Sequence, residues 1–171
     1  MKYQLIERQT LTGEVKAVHD GDSFKIKFET GEVSWIRIYG CDAPEVTSNH
    51  VSSTQPFGRE SGNIMRAMIK GKRVKVDTLF KDKYGRMICN VFLLTDTEID
   101  LTDHLISNGL AWWLDESNMT PETRIKLKSQ HELAKAGKVG LWGQTGRKLR
   151  PSTWRGRNRN PVGFKFDEDL F

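Results

Sequence analysis

The sequence predicts an α+β domain, mainly β: a small closed or nearly closed sheet of five short strands with three helices. Two observations carry the prediction. Five strand-like runs follow one another at short spacing, with a hairpin near the start. Three helical segments fall between and after those runs, one marked by an apolar stripe and two by a start or stop signal.

The strands come first. Val15 to Val18 is short and β-branched at both ends. Phe24, Ile26 and Phe28 alternate with Ser23, Lys25 and Lys27, the period of two that puts one face in a core. Thr30-Gly31 reads as a turn, and Val33 to Tyr39 returns as the partner strand. Val74 and Val76 alternate in a fourth run, and Met87 to Leu94 is continuously apolar, as a strand buried on both faces would be.

The helices follow from periodicity and capping. Phe57 to Ile69 sets Ile64, Met65, Met68 and Ile69 on one stripe. Leu101 to Asn108 stops at Gly109, a good C-terminal cap. Thr120-Pro121-Glu122 is a strong start, with Thr as cap, Pro at the first position and an acid in the first turn, and that helix should run to about Lys135. After Gly143 the composition shifts to Arg, Asn, Gly and Pro, which predicts an irregular tail. The expected organisation is an extension over 1–11, one domain over 12–143 and a basic, then acidic, tail over 144–171.

Composition narrows the class. At 171 residues with 37% apolar, the chain can build one ordinary core. No apolar run is long enough to cross a membrane. The first residues lack a leader-like apolar stretch, so the chain is expected to be cytoplasmic as written, with a secreted mature form as the alternative. Cys41 and Cys89 read as reduced, buried side chains, and no Cys/His spacing suggests zinc. The net charge of +5 is uneven: the body to Gly143 carries about +1, Gln144 to Pro161 carries +6, and the last ten residues carry −2. A basic tail favours a polyanion through counterion release. Nothing requires a dimer, and a monomer is expected.

Three stretches are expected to converge: Asp20-Gly21-Asp22, then Arg37 with Asp42-Ala43-Pro44-Glu45, then Asp82-Lys83-Tyr84-Gly85-Arg86. Each borders a strand-like run. Pooled, they offer carboxylates for a hard cation, two guanidiniums for a phosphate and one further carboxylate, the inventory for phosphodiester hydrolysis. Asp22 and Asp42 are the candidate cation ligands, with the Ala43 carbonyl beside them because Pro44 biases Ala43 to extended geometry. Arg37 and Arg86 are the candidate phosphate forks, and Glu45 is free to orient or deprotonate a water. Each part has a plain alternative: a turn for Asp20-Gly21-Asp22, an ion pair for Arg37, a solvated charge for Arg86, and a loop acid for Glu45.

The conjunction and its order resemble the staphylococcal nuclease (thermonuclease) family. The matching stretches are Asp20-Gly21-Asp22, Arg37-x4-Asp42-x-Pro44-Glu45, Phe57-Gly58-x-Glu60, Asp82-Lys83-Tyr84-Gly85-Arg86, Gly109-Leu110-Ala111 and Gly140-Leu141-Trp142, spread over about Thr12 to Trp142. The resemblance implies an OB-fold barrel of five strands with three helices. It implies a calcium-dependent nuclease acting on DNA and RNA, with Mg2+ or Mn2+ as alternative ions, breaking the 5′ P–O bond to leave a 3′-phosphate. By position, Asp22, Asp42 and the Ala43 carbonyl correspond to calcium ligands and Asp20 to a nearby acid that tunes the site. Arg37 and Arg86 correspond to the phosphate clamps, Glu45 to the general base, and Lys83 and Tyr84 to substrate contacts.

The chain also departs from the family. Ala43 stands where Thr is frequent, and the loop after Glu45 is rich in Ser and Thr rather than Lys. Tyrosines of the nucleotide pocket are not evident, and Trp112 and Trp113 are the candidates to stack on a base instead, with core aromatics as the alternative. The tail from Arg147 to Arg159, with Trp154 among its arginines, reads either as a grip on nucleic-acid backbone or as a solvated linker. The acidic end, Phe166 to Phe171, is a candidate contact for a protein partner or for the chain's own positive site. The rival function is a non-catalytic OB-fold module that binds nucleic acid or a partner.

Overall fold

The structure, a computed structural model, describes residues 3–47 and 54–157. The acidic end and most of the Ser/Thr-rich loop lie outside the described residues. The chain runs through β1 (Tyr3–Leu5), β2 (Thr10–Val18), β3 (Ser23–Phe28), β4 (Val33–Ile38), β5 (Cys41–Asp42), α1 (Gly58–Ile69), β6 (Arg73–Asp82), β7 (Met87–Leu94), β8 (Glu98–Asp100), α2 (Leu101–Ser107), β9 (Trp112–Trp113), α3 (Pro121–Ala136) and α4 (Pro151–Arg157). A 3-10 turn at Gly140–Gly143 separates α3 from α4.

Five of these strands close on themselves. β6 pairs with β2, β2 with β3, β3 with β4, β4 with β7, and β7 returns to β6. Only the β4–β7 contact is parallel, so the barrel is mixed. Closure removes the exposed edges that an open five-stranded sheet would present. The five strands are the five that the sequence predicts, each longer than or equal to its predicted run except β4, which ends one residue early; β7, expected to be buried on both faces, buries mainly alternate residues instead. Two small strands extend the barrel: β1 adds to β6 and β8 to β7, while β5 and β9 form a separate two-stranded ribbon.

Alternation explains the core. Val15, Phe24, Ile26, Ile36, Ile38, Val74, Val76 and Val91 point inward and are fully buried, and Cys41 and Cys89 are free and buried among them. Met65 and Ile69 bury the apolar stripe of α1, and Leu101, Leu105 and Ile106 do the same for α2. Ile64, predicted on the buried stripe of α1, lies on its exposed side. Asp100 caps α2 by accepting from the Thr102 and Asp103 N–H groups, and Thr120 caps α3 at the Thr123 N–H, with Pro121 opening the helix.

One expectation needs correction. A fourth helix, α4, occupies part of the tail that composition predicts to be irregular. Its start is local chemistry: Pro151 sits at the first helical position, where its missing N–H costs nothing and its fixed φ suits the helix, and Trp154 N–H bonds back to the Arg150 carbonyl. The N-terminal extension also contributes a strand. Tyr3 pairs opposite Asp82, stacks on Phe80 at 5.5 Å, and donates its hydroxyl to Glu116 at 2.8 Å. Among the described residues, no helix is long and apolar enough to cross a membrane.

Candidate active site

The three predicted stretches meet at one end of the barrel because of strand register. Ser23 opens β3 opposite Arg37 near the end of β4, and Arg37 in turn lies beside Ile88 near the start of β7. The turn before β3 therefore brings Asp20 and Asp22 to Arg37, β5 brings Asp42, and the turn before β7 brings Arg86. Gly21 makes the approach feasible, since a Cβ there would lie 2.2 Å from Ser61 Oγ and 2.7 Å from Ala43 Cβ. Gly58 does the same for the next loop, where a Cβ would lie 2.4 Å from the Glu45 carbonyl oxygen.

Arg37 is the hub. Its Nη1 donates to Asp22 Oδ1 at 2.8 Å, and its Nη2 donates to Asp42 Oδ1 at 2.7 Å and to the Cys41 carbonyl at 3.3 Å. Asp22 accepts two further bonds: Oδ1 from Ser23 Oγ at 2.8 Å, and Oδ2 from the Ala43 N–H at 2.6 Å, which leaves Oδ2 with acceptor capacity. Burial pushes the Asp22 carboxyl upward, but the Arg37 charge and the Ala43 and Ser23 hydrogen bonds outweigh it and hold the pKa below the usual range. Burial likewise opposes the Arg37 charge, and Asp22 and Asp42 overcome it, so the guanidinium stays protonated.

Arg86 joins through a hydroxyl. Its Nε donates to Asp82 Oδ2 at 2.8 Å, and its Nη1 to Ser23 Oγ at 3.2 Å. Ser23 thus accepts from one predicted clamp while donating to the carboxylate held by the other. Asp82 also receives the Tyr84 and Arg86 N–H groups, which sets the turn that aims Arg86. Tyr84 stands 55% exposed beside this turn, with Lys83 Nζ 4.9 Å and Arg86 Cζ 5.9 Å from its ring centre.

Two acids are held toward neutrality. Burial and the adjacent Asp22 charge raise the Asp20 pKa to about 7, and its Oδ1 accepts the Asp22 N–H at 3.2 Å. Burial raises Glu45 to about 6 against the opposing charge of Arg155, with Asp22 and Asp42 adding to the rise. Arg155, on α4, bonds Glu45 Oε1 and lies 3.4 Å from both Asp42 carboxylate oxygens.

The donor set suits a hard divalent cation in kind, since every candidate is oxygen. Asp22 and Asp42 face each other across the Arg37 guanidinium, and Ala43 contributes its N–H to Asp22. Among the described residues, no three His, Cys, Asp or Glu side chains already surround one point as a cage. The positive charge at the carboxylates is supplied by guanidiniums.

The predicted residues Asp20, Asp22, Arg37, Asp42, Ala43, Glu45 and Arg86 therefore come together, with Lys83 and Tyr84 at the rim. Trp112 does not join them as an open stacking surface. Its ring is buried, 4.4 Å from that of Trp142 and 5.9 Å from that of His131, because β9 lies between β5 and α3. Trp113 is partly buried against the same core, with its indole Nε1 inside and without a hydrogen-bond partner among the described residues. Trp112 is thus a core aromatic, as the alternative reading has it, and Trp113 is half-buried beside it. Ser23 and Arg155 are the site residues that sequence reasoning misses. Ser23 carries no signal beyond its place after Asp22, and Arg155 is one of several arginines in a basic stretch.

Fold and site define an α+β barrel that gathers acids and guanidiniums at one end. The profile of the family described as staphylococcal nuclease homologue matches residues 35–144. The chain is 30% identical over 125 residues to "Probable staphylococcal-like nuclease CAN1" of Oryza sativa subsp. japonica, covering 73% of this chain and 33% of that protein. It is 30% identical over 145 residues to "Uncharacterized endonuclease" of Escherichia coli O157:H7, covering 85% of each. It is 30% identical over 166 residues to "Probable endonuclease LCL3" of Komagataella phaffii, covering 81% and 72%. The chain thus spans about a third of the plant relative's length and most of the bacterial and yeast relatives'. It belongs to the staphylococcal nuclease homologue family.

Proposed function

We propose that this protein is a metal-dependent nuclease that hydrolyses phosphodiester bonds of DNA and RNA within the strand and leaves 3′-phosphate ends. The barrel is read as the OB-fold of the family, with calcium as the expected ion and Mg2+ or Mn2+ as alternatives. One observation carries the reading: Arg37 is forked between two buried carboxylates and linked through Ser23 to Arg86, with Glu45 alongside. The endonuclease names of the bacterial and yeast relatives support it.

Asp22, Asp42 and the Ala43 carbonyl are the groups that would hold the ion, which when bound polarises a phosphate oxygen. The remaining chemistry belongs to the chain. Arg37 and Arg86 present planar donor forks to the equatorial oxygens, where charge grows as the water oxygen bonds to phosphorus and the 5′ P–O bond breaks. Glu45, with its pKa near 6, remains largely ionised at neutral pH, yet is basic enough to take a proton from the attacking water. Asp20 fixes the turn that presents Asp22. Lys83 and Tyr84 meet the strand at the rim.

A second reading, a nucleic-acid-binding module without hydrolysis, is favoured by one feature: guanidiniums already occupy Asp22 and Asp42. Incubation of plasmid and of single-stranded RNA with the protein, with and without EDTA, separates the two. Cleavage abolished by EDTA supports the enzyme, and binding without cleavage supports the module.

A further inference from the structure

α4 and the segment before it are fastened to the site rather than laid loosely beside it. Gln55 Nε2 donates to the Leu149 carbonyl at 2.7 Å, while Gln55 Oε1 accepts the Glu45 N–H at 3.2 Å. One buried amide therefore ties the Glu45 loop to the chain that carries α4. Arg150 donates to the Trp113 carbonyl at 3.3 Å and stacks 5.2 Å over the Trp112 ring, and Pro151 is buried. These anchors deliver Arg155 to Glu45 and Asp42 from beyond the residues that match the family profile.

The exposure of the three guanidiniums differs. Arg37 is 13% exposed and Arg86 17%, whereas the side chain of Arg155 is 40% exposed. Arg155 thus keeps one face on the acids and another open to an incoming ligand. Trp154, its neighbour on α4, lines a small cleft with Pro44, Phe57, Arg147 and Lys148, so basic and aromatic groups stand next to Arg155 in the chain. A carboxylate-paired guanidinium at such a place can exchange its partner for a phosphate, because both offer the same two-oxygen edge to the fork.

We propose that Arg155 is a third phosphate ligand of this site, supplied by the C-terminal segment, which receives a phosphate of the substrate strand next to the scissile one. Without nucleic acid it pairs with Glu45 and Asp42. With nucleic acid it turns to the strand. The inference rests on the nucleic-acid-binding part of the reading above.

The test uses the full chain and its Arg155→Ala and Arg155→Lys variants, with a fluorescein-labelled single-stranded oligonucleotide as probe. In EDTA, anisotropy titrations across a salt series read binding without hydrolysis. Arg155→Ala is expected to weaken binding about tenfold and to lower the salt slope by about 0.7, the value for one phosphate contact on a single strand. Arg155→Lys should restore the slope, because it keeps the charge. With cation, KM should rise more than kcat falls in Arg155→Ala. Unchanged binding and KM in Arg155→Ala overturn the proposal, as does a gain in binding or activity, which would mark Arg155 as a plug. If the wild type binds through Arg155 yet never cleaves, nuclease function fails while this inference stands. If the wild type cleaves and Arg155→Ala matches it, only this inference fails.

Discussion

Replacing Arg37 by lysine removes the fork while keeping the charge. Arg37 places separate nitrogens on Asp22 at 2.8 Å and on Asp42 at 2.7 Å, with a further contact to the Cys41 carbonyl at 3.3 Å. A lysine Nζ is a point charge on a flexible stem and cannot reproduce that planar pair. Loss of one preorganised donor to the developing charge costs roughly 3 kcal/mol, which is about a hundredfold in rate. In the folded state one buried carboxylate loses a charge-assisted hydrogen bond, worth about 1.5–3 kcal/mol. The assay is the initial rate of oligonucleotide cleavage at saturating cation, with urea unfolding of the same sample to separate activity from stability. We expect a rate loss of about a hundredfold and a lower unfolding midpoint. A lysine variant that cleaves at the wild-type rate would refute the clamp role of Arg37.

Three further outcomes follow from the same geometry. Glu45→Gln should lower turnover by about a hundredfold or more while leaving the cation concentration for half-maximal activity little changed; a change in that concentration alone, measured by metal titration, would make Glu45 a ligand instead. Gly21→Ala places a methyl against Ser61 Oγ and Ala43 Cβ, so urea melts should show a loss of about 1–3 kcal/mol, and an unchanged midpoint would contradict the packing. His131 is pushed to about 4 by burial, with Lys135 and Arg150 adding to the fall and Glu132 opposing it, so its contribution is full above the unfolded pKa of about 6.5 and is lost as pH falls toward 4. Asp20 and Glu45 are raised acids and act in the opposite direction, so the readout is the difference in stability between wild type and His131→Gln, which should shrink as pH falls across that window; a constant difference would contradict the shift.

The parts of this molecule legible in the sequence share one property: their signal is local and periodic. β3 shows strict alternation, and its partner β4 follows a turn, so the hairpin emerges from the period of two. α3 announces itself through Thr120 and Pro121. α4 carries the same proline signal at Pro151, but the surrounding arginines and asparagines read as a tail, and what holds it is a distant contact from Gln55. β1 is three residues long and exists because Phe80 to Asp82 of β6 run past the stretch that β2 covers. The candidate site divides the same way. Asp22, Arg37, Asp42 and Arg86 stand in short motifs, so their convergence was readable. Ser23 acts by linking two charges brought together only by register, and Arg155 by a docking 110 residues from Glu45. Trp112 shows the converse, since residue type suggested a stacking surface while the β5–β9 ribbon turns it to the core.

The cleavage rate of Asp42→Asn at saturating cation, measured beside wild type with both shown folded by circular dichroism, tests the proposed site most directly. Asp42 lies at the meeting point of Arg37 and Arg155, so removing its charge disturbs the proposed cation site and the guanidinium pairing together. We predict metal-dependent cleavage by the wild type and a loss of about a hundredfold or more in the variant. Cleavage by Asp42→Asn at the wild-type rate would show that the chemistry happens elsewhere.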